Sequence, residues 1–241
     1  MWVTASNRLA IGVEADFALP PLFLTVKFAS MEIKPVETLS GDAELDLPEF
    51  DAPPPDPLEL LERWLESARA QGAREPQALS LATADAEGRP SVRVVLLKQV
   101  GSSLLFTTDS RSRKGRELAA RPWAAGTLYW RETLQQVTLE GPVRRLSEAE
   151  SGALFAARPR AAQAASIASD QGEPLDDPER LQTRAAELAA GDAPLSRPPH
   201  WSGYELVPEQ IEFWHGDADR LHRRLLYERS GEGWTPRRLN P

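Results

Sequence analysis

Apolar side chains recur at helical spacing directly after a proline-rich stretch, and these two patterns divide the chain. The helical positions share one face and follow one another at spacings of one to three residues: Leu58, Leu60, Leu61, Trp64, Leu65 and Ala68. Pro57 suits the first turn of this helix, and Gly72 ends it. The preceding stretch is rich in Asp, Glu and Pro, a composition that favours unstructured chain. Residues 1–57 are therefore predicted to be an extended, disordered lead-in, and residues 58–241 to form one folded domain.

Beyond Gly72 the pattern changes to short, β-rich runs in which apolar and polar positions alternate. Such runs cover residues 79–83, 91–98, 104–108, 123–130, 135–146, 204–213, 224–228 and 234–239. Helical patterns cover residues 112–121, 147–157 and 176–190, and the second opens with the capping box Ser147–Glu150. Several short strands with few helices predict a mainly β fold, in which a small β-barrel carries peripheral helices.

Charge and composition exclude several classes of function. Lys and Arg number 28 against 36 Asp and Glu, so the net charge of −8 argues against a nucleic-acid binder that neutralises phosphates. The chain has no cysteine, which removes disulfides, thiolate nucleophiles and Cys-ligated metals. Its three histidines lack metal-ligand spacing. No apolar run approaches the roughly 20 residues of a membrane helix. We therefore predict a cytoplasmic protein without a metal, nucleic-acid or membrane partner.

Basic and hydroxyl side chains gather where a predicted strand ends and a helix begins. The segment Thr107–Lys114 combines hydroxyl groups with two arginines and a lysine. The free N–H groups and positive dipole end of a helix N-terminus suit a phosphate, and arginine adds paired donors. A solvated basic helix start fits the same spacing, so both interpretations are open. The segment Arg158–Arg160 is a second candidate anion contact, with the same surface alternative.

A second cluster lies near the C-terminus, in the segment Glu212–Leu225. Two of the three histidines and three arginines fall there, close to Trp214. A grouping of this kind suits a flat, anionic, aromatic ligand. A strand end followed by a charged loop fits the spacing equally well.

Taken in order, these pieces resemble a known family. Residues 78–241 are similar to the pyridoxamine phosphate oxidase family of FMN-dependent split-barrel enzymes. The segments that carry the resemblance are Arg93–Lys98, Ser112–Lys114, Gln210–Trp214, Arg220–Arg224 and Arg238–Pro241. The resemblance implies an FMN-binding split β-barrel and a homodimer with one FMN at each of two subunit interfaces.

The resemblance also implies ligand residues. The FMN contacts would be Arg93, Val94, Val95, Leu96, Leu97, Lys98, Thr107, Thr108, Arg113, Lys114, Gln136, Gln171, Trp214 and Arg224. Of these, Gln136 and Gln171 would reach FMN from the facing subunit or its loop, while Trp214 and Arg224 complete the flavin pocket. The substrate contacts would be Lys98, Arg158, Arg220 and His222. No catalytic residue is assigned.

Departures from the family pattern concern the substrate. Family members that make vitamin B6 hold the substrate phosphate with a Tyr, an Arg and a Ser, and these positions read Leu154, Arg158 and Ala162 here. Losing two hydroxyl donors removes roughly 1–3 kcal/mol of hydrogen bonding to a charged group at each. The departures favour a larger, more apolar substrate that carries less negative charge.

A further resemblance agrees with this substrate. Three segments of this chain resemble the phenazine-biosynthesis branch of the family: Leu45–Pro54, Leu61–Glu66 and Ser166–Gln171. It implies a small aromatic anionic substrate, a partly hydrogenated phenazine carboxylic acid, oxidised by hydride transfer to FMN and reoxidation with O2. Retention of Lys98 points instead to pyridoxamine phosphate oxidase, which makes pyridoxal 5'-phosphate and is the first alternative. A non-catalytic flavin-binding protein is the second, and the retained Arg220 and His222 argue against it.

Overall fold

The computed structural model describes residues 44–241 of the chain. Within that range, ten antiparallel strands form one sheet, accompanied by five α-helices and a short 3-10 helix at Pro48–Phe50. The strands are β1 (Ala78–Ala84), β2 (Pro90–Leu96), β3 (Gln99–Val100), β4 (Leu104–Asp109), β5 (Trp123–Trp130), β6 (Gln135–Arg145), β7 (Trp201–Leu206), β8 (Gln210–His215), β9 (Arg223–Ser230) and β10 (Gly233–Leu239). The α-helices are α1 (Pro57–Ala70), α2 (Arg113–Ala120), α3 (Glu148–Ala156), α4 (Arg160–Ala168) and α5 (Pro178–Ala190).

Strand β6 organises the sheet because it pairs with three other strands. It runs beside β5 for most of its length, beside β8 in its first half and beside β7 at its end. The main sheet has the order β10-β9-β8-β6-β5-β1-β2, and β7 leads on to β4 and β3. Because β6 pairs with β8 in its first half and with β7 at its end, the sheet curls into a half-barrel around the core. This agrees with the predicted mainly β fold.

A glycine permits this exchange of partners. A Cβ atom at Gly141 would lie 2.1 Å from the carbonyl oxygen of Val207, so a larger residue has no room where the chain crosses β6. The crossing chain joins β7 to β8, which pair with different halves of β6. The single strand predicted over residues 204–213 is therefore wrong, and two strands take its place.

The predicted helices are present, and one further helix was missed. The helix predicted from Pro57 is confirmed as α1, and the side chain of Ser147 and Glu150 form the predicted capping box of α3. Helix α4 was not predicted because most of its apolar residues are alanines, which give only a weak periodic pattern. None of the helices in residues 44–241 is long and apolar enough to cross a lipid bilayer.

The core lies between the sheet and α1, and it includes part of the predicted lead-in. The prediction for residues 1–43 lies outside the described residues. Leu47 and Phe50, by contrast, are buried, and Glu49 accepts a hydrogen bond from the indole Nε1 of Trp64 on α1. Residues 47–50 thus belong to the domain rather than to a disordered segment, because their apolar side chains cover the helix.

The two faces of the sheet can be read from the strand register. One row runs across β2, β1, β5, β6, β8 and β9 through Arg93, Leu81, Gly126, Leu139, Ile211 and Tyr227. Its leucines, Ile211 and Tyr227 are buried, so this row faces the core. A second row joins Tyr129, Gln136, Trp214 and Arg224. Tyr129 is half exposed in that row, which therefore faces outward.

Replacing Phe50 by Ala is expected to lower the free energy of unfolding by about 3–5 kcal/mol, because it leaves a cavity beside Trp64. The adjacent Asp51 is exposed and pairs with Arg238 at 3.1 Å, so Asp51→Ala should lower it by at most about 1 kcal/mol. Denaturant unfolding of both variants checks this. Equal effects would show that residues 47–50 are not part of the cooperative fold.

Candidate functional site

The N-terminus of α2 lies against the end of β4, and its local sequence explains the fit. The Ser112 hydroxyl caps the helix by accepting from the backbone N–H of Gly115 at 3.3 Å. A Cβ atom at Gly115 would lie 2.5 Å from the carbonyl oxygen of Ser110, so only glycine allows this close approach. The first helical residues, Arg113 and Lys114, are thereby held beside the last residues of β4.

A buried carboxylate joins the two arginines predicted to hold phosphate. Glu117, on α2, accepts from Arg113 Nε at 2.8 Å and lies 3.3 Å from Arg93 Nη2. The same carboxylate accepts from the hydroxyls of Thr83 at 2.5 Å and Ser91 at 2.6 Å. Arg93 in turn donates to Thr83, to Ser91 and to the carbonyl of Leu81. Strands β1 and β2 and helix α2 are therefore joined through one side chain.

The electrostatics of this cluster follow from burial and pairing. Burial alone would raise the pKa of Glu117, but the hydrogen bonds from Ser91, Thr83 and Arg113 outweigh it and lower the pKa to about 2. Burial, followed by the nearby Arg93, lowers the pKa of Lys114. The Lys114 ammonium donates to the Thr108 hydroxyl at 3.1 Å. Three cations and Glu117 thus share a small volume, and because the nearby Asp109 carboxylate is paired with Arg111 at 3.0 Å, the net charge there is positive.

A cavity of about 280 Å³ lies beside this cluster. Thr107 and Thr108 line one side of it, and Arg158 and Trp201 line the other. The Arg158 guanidinium stacks over the Trp201 ring at 5.1 Å, donates to Ser166 Oγ at 2.5 Å, and has its pKa lowered by burial. The cavity therefore joins predicted FMN residues to a predicted substrate residue.

Gln171 is held at the same cavity within this chain. Its side-chain oxygen accepts from the backbone N–H of Asp109 at 3.2 Å and from the Thr108 hydroxyl at 3.3 Å. The predicted FMN residues Thr107, Thr108, Arg113, Lys114 and Gln171 consequently lie in one neighbourhood, together with Arg93.

Three further predicted FMN residues, Gln136, Trp214 and Arg224, form a flat group on the outward row. Trp214 lies next to Gln136 on β6 and Arg224 on β9. Glu212 holds the Arg224 guanidinium through two hydrogen bonds, at 2.6 and 3.0 Å. The His222 ring lies 4.8 Å from the Trp214 ring. An indole, an imidazole and a fixed guanidinium therefore share one surface.

The loop before β9 carries two of the predicted substrate residues, Arg220 and His222. His222 Nδ1 accepts from the backbone N–H of Asp217 at 3.1 Å, which leaves the ring proton on Nε2 as a donor when the ring is neutral. Arg220 has a positive φ of 64° and donates its backbone N–H to the Asp217 carbonyl at 3.0 Å. A tight turn at Arg220 thus precedes His222, whose ring lies beside Trp214.

One chain does not bring all predicted FMN residues together. Arg93 lies on the core-facing row of the sheet, whereas Trp214 lies on the outward row. Their strands are four steps apart in the sheet, which is about 19 Å at the usual strand spacing. The cationic cluster and the flat group are therefore on different faces.

Strand β2 divides its own predicted residues in the same way. Val94 and Leu96 are exposed on the outward face, and Val95 lies with Arg93 on the other. Leu97 is buried in the core, so its side chain is not available to a ligand, and its backbone N–H donates to the Gln77 carbonyl at 3.0 Å. Lys98 follows the strand and is exposed, with its backbone N–H donating to the Leu105 carbonyl at 2.7 Å.

Sequence reasoning missed Glu117, Trp201 and Glu212. Glu117 stands four residues after Arg113, and this spacing on a predicted helix indicates an ion pair between the two side chains. Glu212 lies twelve residues from Arg224, and Trp201 lies far from Arg158 in sequence. These two contacts depend on strand pairing and tertiary packing, which no local pattern encodes.

Leu154 and Ala162, the two departures from the family pattern, lie on α3 and α4, on either side of Arg158 in the sequence. A Cβ atom at Gly203 would lie 2.8 Å from Leu154 Cδ1, so the leucine packs directly onto the backbone of β7. Leu154 also lines a second cavity, of about 330 Å³, whose wall combines apolar residues with the charged Arg144, Glu150 and Glu205. Neither Leu154 nor Ala162 offers a hydroxyl donor to a ligand.

Replacing Glu117 by Gln is expected to reduce the acid sensitivity of the fold. A carboxyl whose pKa falls from 4.5 to about 2 on folding stabilises the protein above pH 4.5, and this contribution is lost as the pH falls towards 2. The parent should have the larger free energy of unfolding above pH 4.5. Its advantage over the variant should decrease by about 3 kcal/mol as the pH is lowered from 4.5 to 2. Urea unfolding over the same range measures it, and a constant difference would contradict the assignment.

Two regions of the chain match described protein families. Residues 65–190 match "Pyridoxamine 5'-phosphate oxidase", and residues 201–241 match "Pyridoxine 5'-phosphate oxidase C-terminal dimerisation region". The second region contains β7–β10 and the loop with Arg220 and His222.

Individual relatives are similar over most of the chain. Dihydrophenazinedicarboxylate synthase of Pseudomonas chlororaphis is 47% identical over 206 residues, which are 85% of this chain and 93% of that protein. Pyridoxine/pyridoxamine 5'-phosphate oxidase of Rubrobacter xylanophilus is also 47% identical, over 194 residues that are 79% of this chain and 89% of that protein. Both predicted branches are thus represented among the relatives.

Among solved structures, PhzG from Burkholderia lata in complex with tetrahydrophenazine-1-carboxylic acid superposes with a TM-score of 0.80. It is 46% identical, and the match covers 83% of this chain and 100% of that one. The predicted split-barrel fold and the resemblance to the phenazine branch are confirmed. The chain belongs to the pyridoxamine 5'-phosphate oxidase family.

Proposed function

We propose that this protein is an FMN-dependent oxidase of reduced, partly hydrogenated phenazine carboxylic acids, and that it acts as a homodimer. The single observation that carries the substrate class is the lack of a hydroxyl donor at Leu154 on α3 and at Ala162 on α4, the two helices that flank the arginine stacked on Trp201. The similarity to dihydrophenazinedicarboxylate synthase and to the PhzG complex supports the same class.

The cationic cluster fits the phosphate of FMN. Arg113 and Lys114 occupy the first turn of α2, where backbone N–H groups and the helix dipole add to their charge. Arg93 approaches from β2, and Thr107 and Thr108 contribute hydroxyls from the end of β4. The net positive charge of the cluster matches a phosphate group, which carries about −1.5 to −2 at neutral pH.

The flat group fits an isoalloxazine ring, provided that it comes from a second copy of the chain. The cationic cluster and the outward row of Gln136, Trp214 and Arg224 lie on different faces of one sheet, so one molecule does not enclose one ligand with both. A two-fold dimer places the same patch of each chain against the other and would form two equal sites. The match of residues 201–241 to a dimerisation region supports this arrangement.

The protein's own groups would bind and orient the substrate. Hydride acceptance and reoxidation by O2 are the chemistry that FMN supplies when it is bound. The Arg220 guanidinium and His222 Nε2–H offer donors to a carboxylate, with Lys98 and Arg158 as further cations. Because the oxidised product is aromatic, its formation provides driving force, and we assign no acid–base pair.

Pyridoxamine phosphate oxidase activity is the alternative. It is favoured by the retained Lys98 and Arg158 and by the Rubrobacter xylanophilus relative, which is as similar as the phenazine enzyme. It requires these cations to hold a phosphate without the Tyr and Ser hydroxyls. The apolar packing of Leu154 on Gly203 argues against it.

An oxidation assay on both substrate types tests the proposal. The FMN-loaded parent protein should consume O2 with a reduced phenazine carboxylic acid at a kcat/KM at least about tenfold higher than with pyridoxine 5'-phosphate, since two hydrogen bonds to phosphate are missing. The matched variant carries Leu154→Tyr together with Ala162→Ser.

That variant should shift the ratio of the two kcat/KM values towards pyridoxine 5'-phosphate by a factor of about ten or more. Its bound FMN, measured by absorbance, should equal that of the parent. Efficient turnover of pyridoxine 5'-phosphate by the parent, with none of the phenazine precursor, would replace the proposal by the alternative.

A further inference from the structure

We propose that Glu117 is a positioning residue for the FMN phosphate. Its carboxylate holds the guanidinium groups of Arg93 and Arg113 in the orientation that binds the phosphate. This inference rests on the proposed function, because FMN is the ligand that the two arginines would hold. It assigns a role in cofactor recognition to a carboxylate that itself would not touch the cofactor.

The geometry places Glu117 between the arginines as their common anchor. One oxygen of Glu117 accepts from Arg113 Nε at 2.8 Å, and the other lies 3.3 Å from Arg93 Nη2. Bonding through Nε restricts the plane of the Arg113 guanidinium and leaves the N–H groups of both Nη atoms for other partners. Arg113 is itself largely exposed, so these groups are accessible to a phosphate at the helix start.

The anchor is rigid, whereas Arg113, one of the two groups that it holds, is largely exposed. Glu117 is 4% exposed and is fixed by the hydroxyls of Thr83 and Ser91 in addition to the arginines. An arginine at the surface otherwise has many rotamers, and ordering it on ligand binding costs free energy. A carboxylate that holds the guanidinium in place before the ligand binds removes part of that cost and favours bidentate contacts to phosphate oxygens.

The charge of Glu117 would also keep the apoprotein cluster together. Arg93, Arg113 and Lys114 bring three positive charges to the same helix start, and their mutual repulsion would otherwise separate them. With a pKa of about 2, Glu117 stays ionised throughout the physiological pH range. The cluster then retains two positive charges, close to the charge of the phosphate dianion.

The test compares FMN with riboflavin, which carries the same ring system but no phosphate. In Glu117→Gln, the Kd for FMN should rise by roughly tenfold or more, mainly through faster dissociation. The reason is that the variant loses the orientation of the two arginines but keeps the positive charge of the cluster. The Kd for riboflavin should stay within about twofold. Flavin fluorescence quenching on the full-length dimer gives both constants.

Two further variants separate positioning from folding. Ser91→Ala removes one hydrogen bond to Glu117 and one acceptor of Arg93 but keeps the carboxylate charge, and it should weaken binding of FMN alone, by roughly threefold. Glu87→Gln removes an exposed carboxylate from the β1–β2 turn and should leave both ligands unchanged. The melting temperature of each apoprotein accompanies the binding data.

Three outcomes are decisive. FMN-selective weakening in Glu117→Gln and Ser91→Ala supports the role. Equal weakening of FMN and riboflavin, or parental FMN affinity in both variants, overturns it while leaving the proposed function in place. Failure of the parent protein to bind FMN at all overturns the proposed function, and this inference with it.

Discussion

Side chains on a β-strand point alternately to the two faces of the sheet, and this constraint determines where each candidate ligand group lies. Arg93 shares a register row with Leu81, and therefore faces the core side under α2. Gln136, Trp214 and Arg224 share another row and face outward. Shifting any strand by one residue would exchange these faces. The buried leucines that fix the register thus also fix the chemistry of each surface.

The cationic side depends on how three elements meet. Gly115 lets α2 approach the end of β4, which places Arg113 and Lys114 beside Thr108. Glu117 then connects the helix to β1 and β2 through hydroxyls and guanidinium groups. Since the carboxylate is buried and fully hydrogen-bonded, the cluster is organised before any ligand arrives. Pre-organised donors of this kind bind anions more tightly than flexible ones.

Much of the fold could be predicted from local patterns, because the α1 stripe and the strand alternation reflect burial of single faces. The division of residues 204–213 into two strands could not, since it depends on Gly141 and on the partners of β6. The packing of Phe50 was hidden by its acidic, proline-rich surroundings. Among site residues, the helix start at Ser112 could be predicted from the local sequence. The Arg158–Trp201 stack could not, because it joins residues 43 positions apart and depends on tertiary packing.

We propose that each FMN site combines the cationic cluster of one chain with the flat group of another, and a mixed dimer tests this arrangement. One chain carries Arg113→Ala and the other Trp214→Ala, with a different affinity tag on each, and the heterodimer is isolated through both tags. Each variant alone should bind FMN weakly. The heterodimer should regain one site of parental affinity per dimer, because one interface then contains two intact halves. A heterodimer in which no site recovers parental affinity would contradict the account.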